Sequence, residues 1–143
     1  MRRLWPLVGL AVALVACQRT VILPTQEAEA FAAEVDDYVE DALVGLSEGD
    51  YERHARGFDE TLREEIDPVI TFPQAYDQII GTLGRYQSRR LLRVEDEGRF
   101  RTVIYEAEFE RDPQVTVRVV FWKTDPEHRI SALWIESDLL TGR

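Results

Sequence analysis

Between Arg99 and Lys123 the chain alternates apolar and polar residues twice over. In the first run Val103, Tyr105, Ala107 and Phe109 share one face, with Thr102, Glu106 and Glu108 on the other. In the second, Val115, Val117, Val119 and Phe121 lie together, opposite Thr116, Arg118 and Trp122. A period of two, rich in β-branched and aromatic residues, predicts a pair of half-buried strands. Arg111-Asp112-Pro113 joins them as a tight turn, because proline presets φ and the residue before it avoids the helical region. Ile104 and Val120 interrupt the polar faces, so some cover is expected on that side too.

Strands are predicted on both sides of this hairpin. From Arg85 to Glu95 the alternation is mixed, with Tyr86, Leu92 and Val94 on one side and Arg89, Leu91 and Arg93 on the other. Its four arginines predict an edge position, where charge discourages pairing with another chain. Asp96-Glu97-Gly98 reads as a hairpin turn. Asp125-Pro126-Glu127-His128 turns the chain into a last strand, Ile130 to Glu136, which carries Leu133, Trp134 and Ile135.

The earlier part of the chain changes period. From Gln26 to about Ser47, Ala28, Phe31, Val35, Tyr38, Val39, Ala42, Leu43 and Leu46 recur at helical spacing, with Glu34, Asp37, Glu40 and Asp41 toward solvent. Thr25 is the expected N-cap, and Gly49 the expected stop. Asp50 caps a short helix from Tyr51 to about Gly57. Phe58, Leu62 and Ile66 anchor a further short helix or turn. The segment FPQAYDQIIGTLG forms the last helix, with Phe72, Tyr76, Ile79, Ile80 and Leu83 on its stripe and Gly84 at its end. Helices followed by a four-stranded meander predict an α+β domain, its N-terminal helices packed on one face of a curved antiparallel sheet.

Length and charge refine this picture. A chain of 143 residues fits one domain. From Gln18 to Gly84 there are 4 arginines and 16 acidic residues; from Arg85 to Arg143 the basic and acidic counts are 11 and 11. The formal charge of -10 therefore belongs to the helical half. That excludes the basic stripe of a nucleic-acid binder and argues against the domain lying flat on anionic lipid.

The first 17 residues read MRRLWPLVGLAVALVAC. Two arginines precede an apolar run, Leu4 to Ala16, that is short for a bilayer span and suited to a signal peptide. The run ends in Leu14-Val15-Ala16-Cys17, which resembles a bacterial lipobox. Cys17 is the only cysteine, so an intrachain disulfide is impossible. Its thiolate is the group a diacylglyceryl chain alkylates, and two or three acyl chains anchor where one is marginal. The expectation is a signal peptide over 1–17, a tether over 18–25 and a folded domain over 26–143. The partner is then the membrane itself, through lipid on Cys17. With Gln18 rather than Asp after the cysteine, the resemblance points to the outer membrane of a diderm cell.

A long amphipathic helix, Gly49-Asp50-Tyr51 after it, a helix ending in Leu83-Gly84 and strands closing on Leu133-Trp134-Ile135 resemble the nuclear transport factor 2-like, cone-shaped fold. More narrowly, they resemble small bacterial envelope families of that fold with no assigned function. The resemblance spans Gln26 to Leu140. It implies a cavity between the first helix and the sheet, which Val35, Tyr38, Val39, Ala42, Phe58, Ile80, Tyr105, Phe109 and Val117 would line. Such a cone would bind a small apolar ligand or an envelope protein. Its sheet face, with Trp122 and Val120, would pair with a second copy.

Candidate chemistry is sparse. Enzymes of this fold place Asp, Tyr or His inside the cone, and Tyr38, Tyr76, Tyr105 and Trp134 are the residues here that would point inward. His54 lies four residues after Asp50, the spacing of a solvated ion pair on a helix, and His128 sits in a turn beside Glu127. These histidines are far apart and no thiolate joins them, so no zinc site is expected. Asp36-Asp37 and Glu40-Asp41 lack the spacing and glycine of a calcium loop. There is no phosphate loop, nucleophile elbow or dinucleotide fingerprint. No cofactor is expected. The reading is a non-catalytic binding module, with a small isomerase or hydrolase, or a structural module of the envelope, as alternatives.

Overall fold

The computed structural model describes residues 19–142. The leader and Cys17 lie outside the described residues. No described helix is long and apolar enough to cross a membrane.

The domain is a mixed α+β structure, an open antiparallel sheet with helices against one face. Its strands are β1 (Val21–Ile22), β2 (Tyr86–Asp96), β3 (Phe100–Phe109), β4 (Asp112–Trp122) and β5 (Ile130–Glu136), ordered as in the sequence. The expected count was four. The extra strand is the two-residue β1, inside the segment read as a tether, where Val21 pairs with Asp96 and Ile22 with Glu95. It is too short to show a period, so only tertiary pairing reveals it. The central hairpin is as expected: Val103, Tyr105, Ala107, Phe109, Val115, Val117, Val119 and Phe121 are all buried on the helix side.

The mixed alternation of β2 has a cause. Register shifts lie between Tyr86 and Ser88 and between Leu91 and Arg93. Each bulge resets which face the next side chain takes. Arg89 is thus opposite Ala107, and Leu91 opposite Tyr105, so both sit on the inner face with Tyr86 and Val94. Arg93, opposite Ile104, turns outward. Plain alternation predicts Arg89 and Leu91 on the face away from Tyr86 and Val94, and the bulges overturn that. β2 is an edge along most of its length, since β1 covers only its last residues.

The long helix α1 (Thr25–Glu48) lays its apolar stripe across the sheet and ends at Gly49, whose φ of 68° suits glycine. Pro24, not Thr25, holds the N-cap position, and it offers no side-chain bond. α2 (Tyr51–His54) is capped by Asp50, whose side chain accepts from Arg53 N, and it doubles back over the last turns of α1. α3 (Glu60–Glu65) is capped by Asp59. α4 (Thr71–Ala75) continues through a π-helical turn, Tyr76–Ile80, into α5 (Gly81–Leu83), and a short α6 (Asp138–Thr141) follows the sheet. Phe58 and Ile130 lock the helical connections to the sheet through a parallel bridge.

His54 corrects the expectation of a solvated ion pair. It is 3% exposed, packed between Phe58 and Phe72, and its Nδ1 donates to the Ala42 carbonyl at 2.5 Å. The helix that carries it folds inward, which i,i+4 spacing alone does not reveal. Burial pulls its pKa below 6.5, against the opposing pull of the Ala42 bond. The unfolded chain therefore binds a proton more readily than the folded one. Stability is whole above pH 6.5 and falls as pH drops below it. Urea denaturation at pH 7.5 and pH 5.5 should give the lower midpoint at pH 5.5, and His54→Gln should shrink that difference.

Candidate functional site

The side chains that meet at the open edge of the sheet come from α1, β2 and β3. Arg89 is on the inner face only because of the bulge at Gln87, and there it meets the acidic flank of α1. Its guanidinium pairs with Asp36 at 2.5 Å and with Glu40, and it donates to Tyr86 Oη at 2.8 Å. Tyr86 in turn donates to Glu40. The Arg89 side chain is 7% exposed and lies 5.1 Å from the centre of the Tyr105 ring. Burial alone would lower the Arg89 pKa, but Tyr86, Glu40 and their neighbours outweigh it and hold the charge.

These groups line a cleft of about 630 Å³ between α1 and β2, floored by Ala32, Leu91 and Tyr105 and rimmed by Glu29, Asp36 and Glu40. Beneath it two buried polar atoms make no well-formed hydrogen bond among the described residues, Tyr105 Oη and Arg89 Nε, though the Arg89 guanidinium is close enough to Tyr105 to favour its charged form. The other orphaned guanidinium nitrogens, on Arg101, Arg118 and Arg129, each have a carboxylate within 4 Å. Buried polar groups are nearly always paired, and leaving one unpaired costs about 1–3 kcal/mol. Burial also pushes the Tyr105 hydroxyl up to about 12, against the pull of Arg89, and Tyr86 is raised by the same cause. Both phenols stay protonated across the physiological range.

The expected cavity residues divide between core and surface clefts. Val35, Val39, Ala42, Phe58, Ile80, Phe109 and Val117 are buried against one another in the core. Only Tyr105 reaches the cleft. Tyr38 is half-buried on another side of α1, its ring against Gly57, beside the Asp41–Arg53–Arg56 ion pairs. Trp134, expected inward, faces outward and is 52% exposed, because it is opposite Arg118 rather than an inner-face residue. Tyr76 packs beside Gly49. His128 is partly exposed, as expected, and pairs with Glu34 at 3.3 Å. The residue that sequence reasoning missed is Arg89. Its signal was the irregular alternation of β2, which is what a bulge looks like in sequence.

A second hollow, about 790 Å³, lies beside α6. Its Ser137 hydroxyl donates to Asp112 at 2.5 Å and accepts from Leu139 N, so the serine is satisfied internally. No group of three or more metal-binding side chains occurs among the described residues. The chain matches no family model, no curated protein and no solved structure.

Proposed function

We propose that the chain is a bacterial envelope lipoprotein whose domain, a cone of the nuclear transport factor 2-like type, is a non-catalytic binding module. Acyl chains on Cys17 hold it outside the membrane, at the outer membrane if the cell is diderm. The α1–β2 cleft takes the ligand. The observation that carries this is the pair of orphaned groups at the cleft floor, Tyr105 Oη and Arg89 Nε. Both are able to donate but have almost no accessible surface, so an oxygen acceptor on a ligand meets them only where a neighbouring side chain shifts. The rim adds three carboxylates against one guanidinium, which favours a neutral or cationic molecule over an anion.

The chemistry of the cleft supports binding over catalysis. A useful acid or base has a pKa near the working pH. Here the phenols and the guanidinium at the floor are all held further from it. Self-association across the outer sheet face is the second reading, favoured by the exposed Trp122 and Trp134.

Native mass spectrometry of residues 18–143, beside Tyr105→Phe, tests the binding reading. The wild-type domain should carry a discrete extra mass that the variant lacks. Stripped of that ligand, the variant should be the more stable protein by about 1 kcal/mol, because it loses an unpaired buried hydroxyl. A bare wild-type domain, with a variant less stable than it, would overturn the proposal.

A further inference from the structure

The outer face of the sheet is not uniformly polar. Phe100 and Trp122 are cross-strand partners with ring centres 4.0 Å apart. Trp122 is 37% exposed and Trp134 52%. With Val120 and Ala132 they line a largely apolar groove of about 410 Å³, which Glu97 and Arg118 also border. Exposed aromatic patches of this kind mark a surface that something covers.

The register shows where this groove lies. Val21 is opposite Asp96, Asp96 opposite Arg101, and Arg101 opposite Phe121. The Phe100–Trp122 pair is one residue further toward the end of the sheet from which the chain enters. Val21 and Ile22 are themselves exposed there, at 56% and 62%. Three residues, and so four Cα–Cα steps, separate Cys17 from Val21. Fully extended, they span at most roughly 14 Å. Strand spacing puts Trp122 about 14 Å across the sheet from Val21. A lipid-bearing Cys17 therefore keeps this end of the sheet within one short tether of the headgroups. The cleft at Arg89 is at the other end of β2, about 23 Å further along the strand.

Charge agrees with this placement. The acidic excess sits in the helical half, on the opposite face, while the sheet half carries 11 basic and 11 acidic residues. Anionic headgroups would repel the helical half, whereas the sheet half as a whole carries no net charge. Indole rings are enriched at the membrane–water boundary, where an apolar ring and an N–H donor are both accommodated.

We infer that the outer sheet face at the tethered end rests on the bilayer surface, with Trp122 leading and Trp134 behind it. This inference rests on the lipid anchor at Cys17. In that posture the Arg89 cleft, on the helix-covered face, is turned away from the bilayer and open to ligand.

The sequence supplies a probe. Of three tryptophans, Trp5 precedes Cys17 and leaves with the leader, so the processed chain fluoresces from Trp122 and Trp134 alone. The lipid-bearing protein, purified from membranes, is placed in phosphatidylcholine vesicles brominated on the acyl chains near the headgroups. Its mass is measured on the same sample. The expected result is a blue-shifted emission, largely quenched, with Trp122 (read in Trp134→Phe) quenched more than Trp134 (read in Trp122→Phe). Lipid-bearing protein with unquenched tryptophans would overturn the inference and leave the anchor standing. A chain without lipid on Cys17 would overturn both. A blue shift without quenching, in a protein that elutes as a dimer, would assign the face to a second copy and equally overturn the inference.

Discussion

Gly45→Ala should destabilise the domain by about 3 kcal/mol, although alanine is the better helix former. Helix propensity alone favours the substitution by about 1 kcal/mol. The packing of α2 decides against it. Where α2 crosses the last turns of α1, Gly45 O accepts from Asp50 N at 2.8 Å, and the returning backbone lies directly on the glycine. A Cβ there would stand 2.7 Å from the Cα of His54 and 2.9 Å from the Asp50 carbonyl oxygen. Those atoms belong to backbone, so they yield only if α2 moves. Moving α2 would displace the buried His54 and its bond to Ala42. Overpacking costs about 1–3 kcal/mol when side chains can adjust, and here they cannot. Gly81 is the control. A Cβ there meets nothing within 4 Å, and its φ of -59° is helical. Gly81→Ala should therefore be neutral or stabilising by up to about 1 kcal/mol. Urea denaturation of the two variants beside the wild type checks both signs. Equal effects would show that α2 does not press on Gly45.

Gly45 illustrates what the sequence could and could not reveal. As a residue in a helix it reads only as a weak point. Its reason is a contact with a segment nine residues later, and no local pattern encodes that. The period-two runs of β3 and β4 and the stripe of α1 were legible because each is long and buried on one side. Val103 through Phe109 and Val115 through Phe121 lie as their alternation predicts. β1 was not legible, because two residues have no period. The inward turn of Arg89 was hidden for a related reason. A bulge breaks the alternation that would have shown the face, and the break looks the same as a strand that is weakly patterned. His54 was misread because its i,i+4 relation to Asp50 has a local explanation that is sufficient without burial. The Asp50 side chain instead accepts from the Arg53 backbone, as a cap. Thus the candidate site was only half visible: Tyr105 appeared on its inner face, while its partners Arg89, Tyr86 and Asp36 became a cluster only when α1 was laid across β2.

Cys17→Ser should abolish lipid anchoring altogether. A serine hydroxyl has a far higher pKa than a thiol and offers no thiolate for alkylation, so the thioether cannot form. No helix among the described residues is long and apolar enough to cross a membrane. Two acyl chains hold a protein on a bilayer where one is marginal, so losing them is an all-or-none change rather than a graded one. Once the leader is removed, the variant domain should partition to the soluble fraction of the envelope, while the wild type stays with the membrane. The fold should be unaffected, because the first described contact of the sheet begins only at Val21.

The anchor is the claim on which the location, the posture of the sheet face and the outward cleft all depend. Its most direct test is the intact mass of wild-type protein extracted from the membrane fraction. The expected species is a chain that has lost residues 1–16 and gained diacylglyceryl mass at Cys17, with or without a further acyl group on the new N-terminus. A full-length chain with an unmodified cysteine, held in the same membrane fraction, would contradict it.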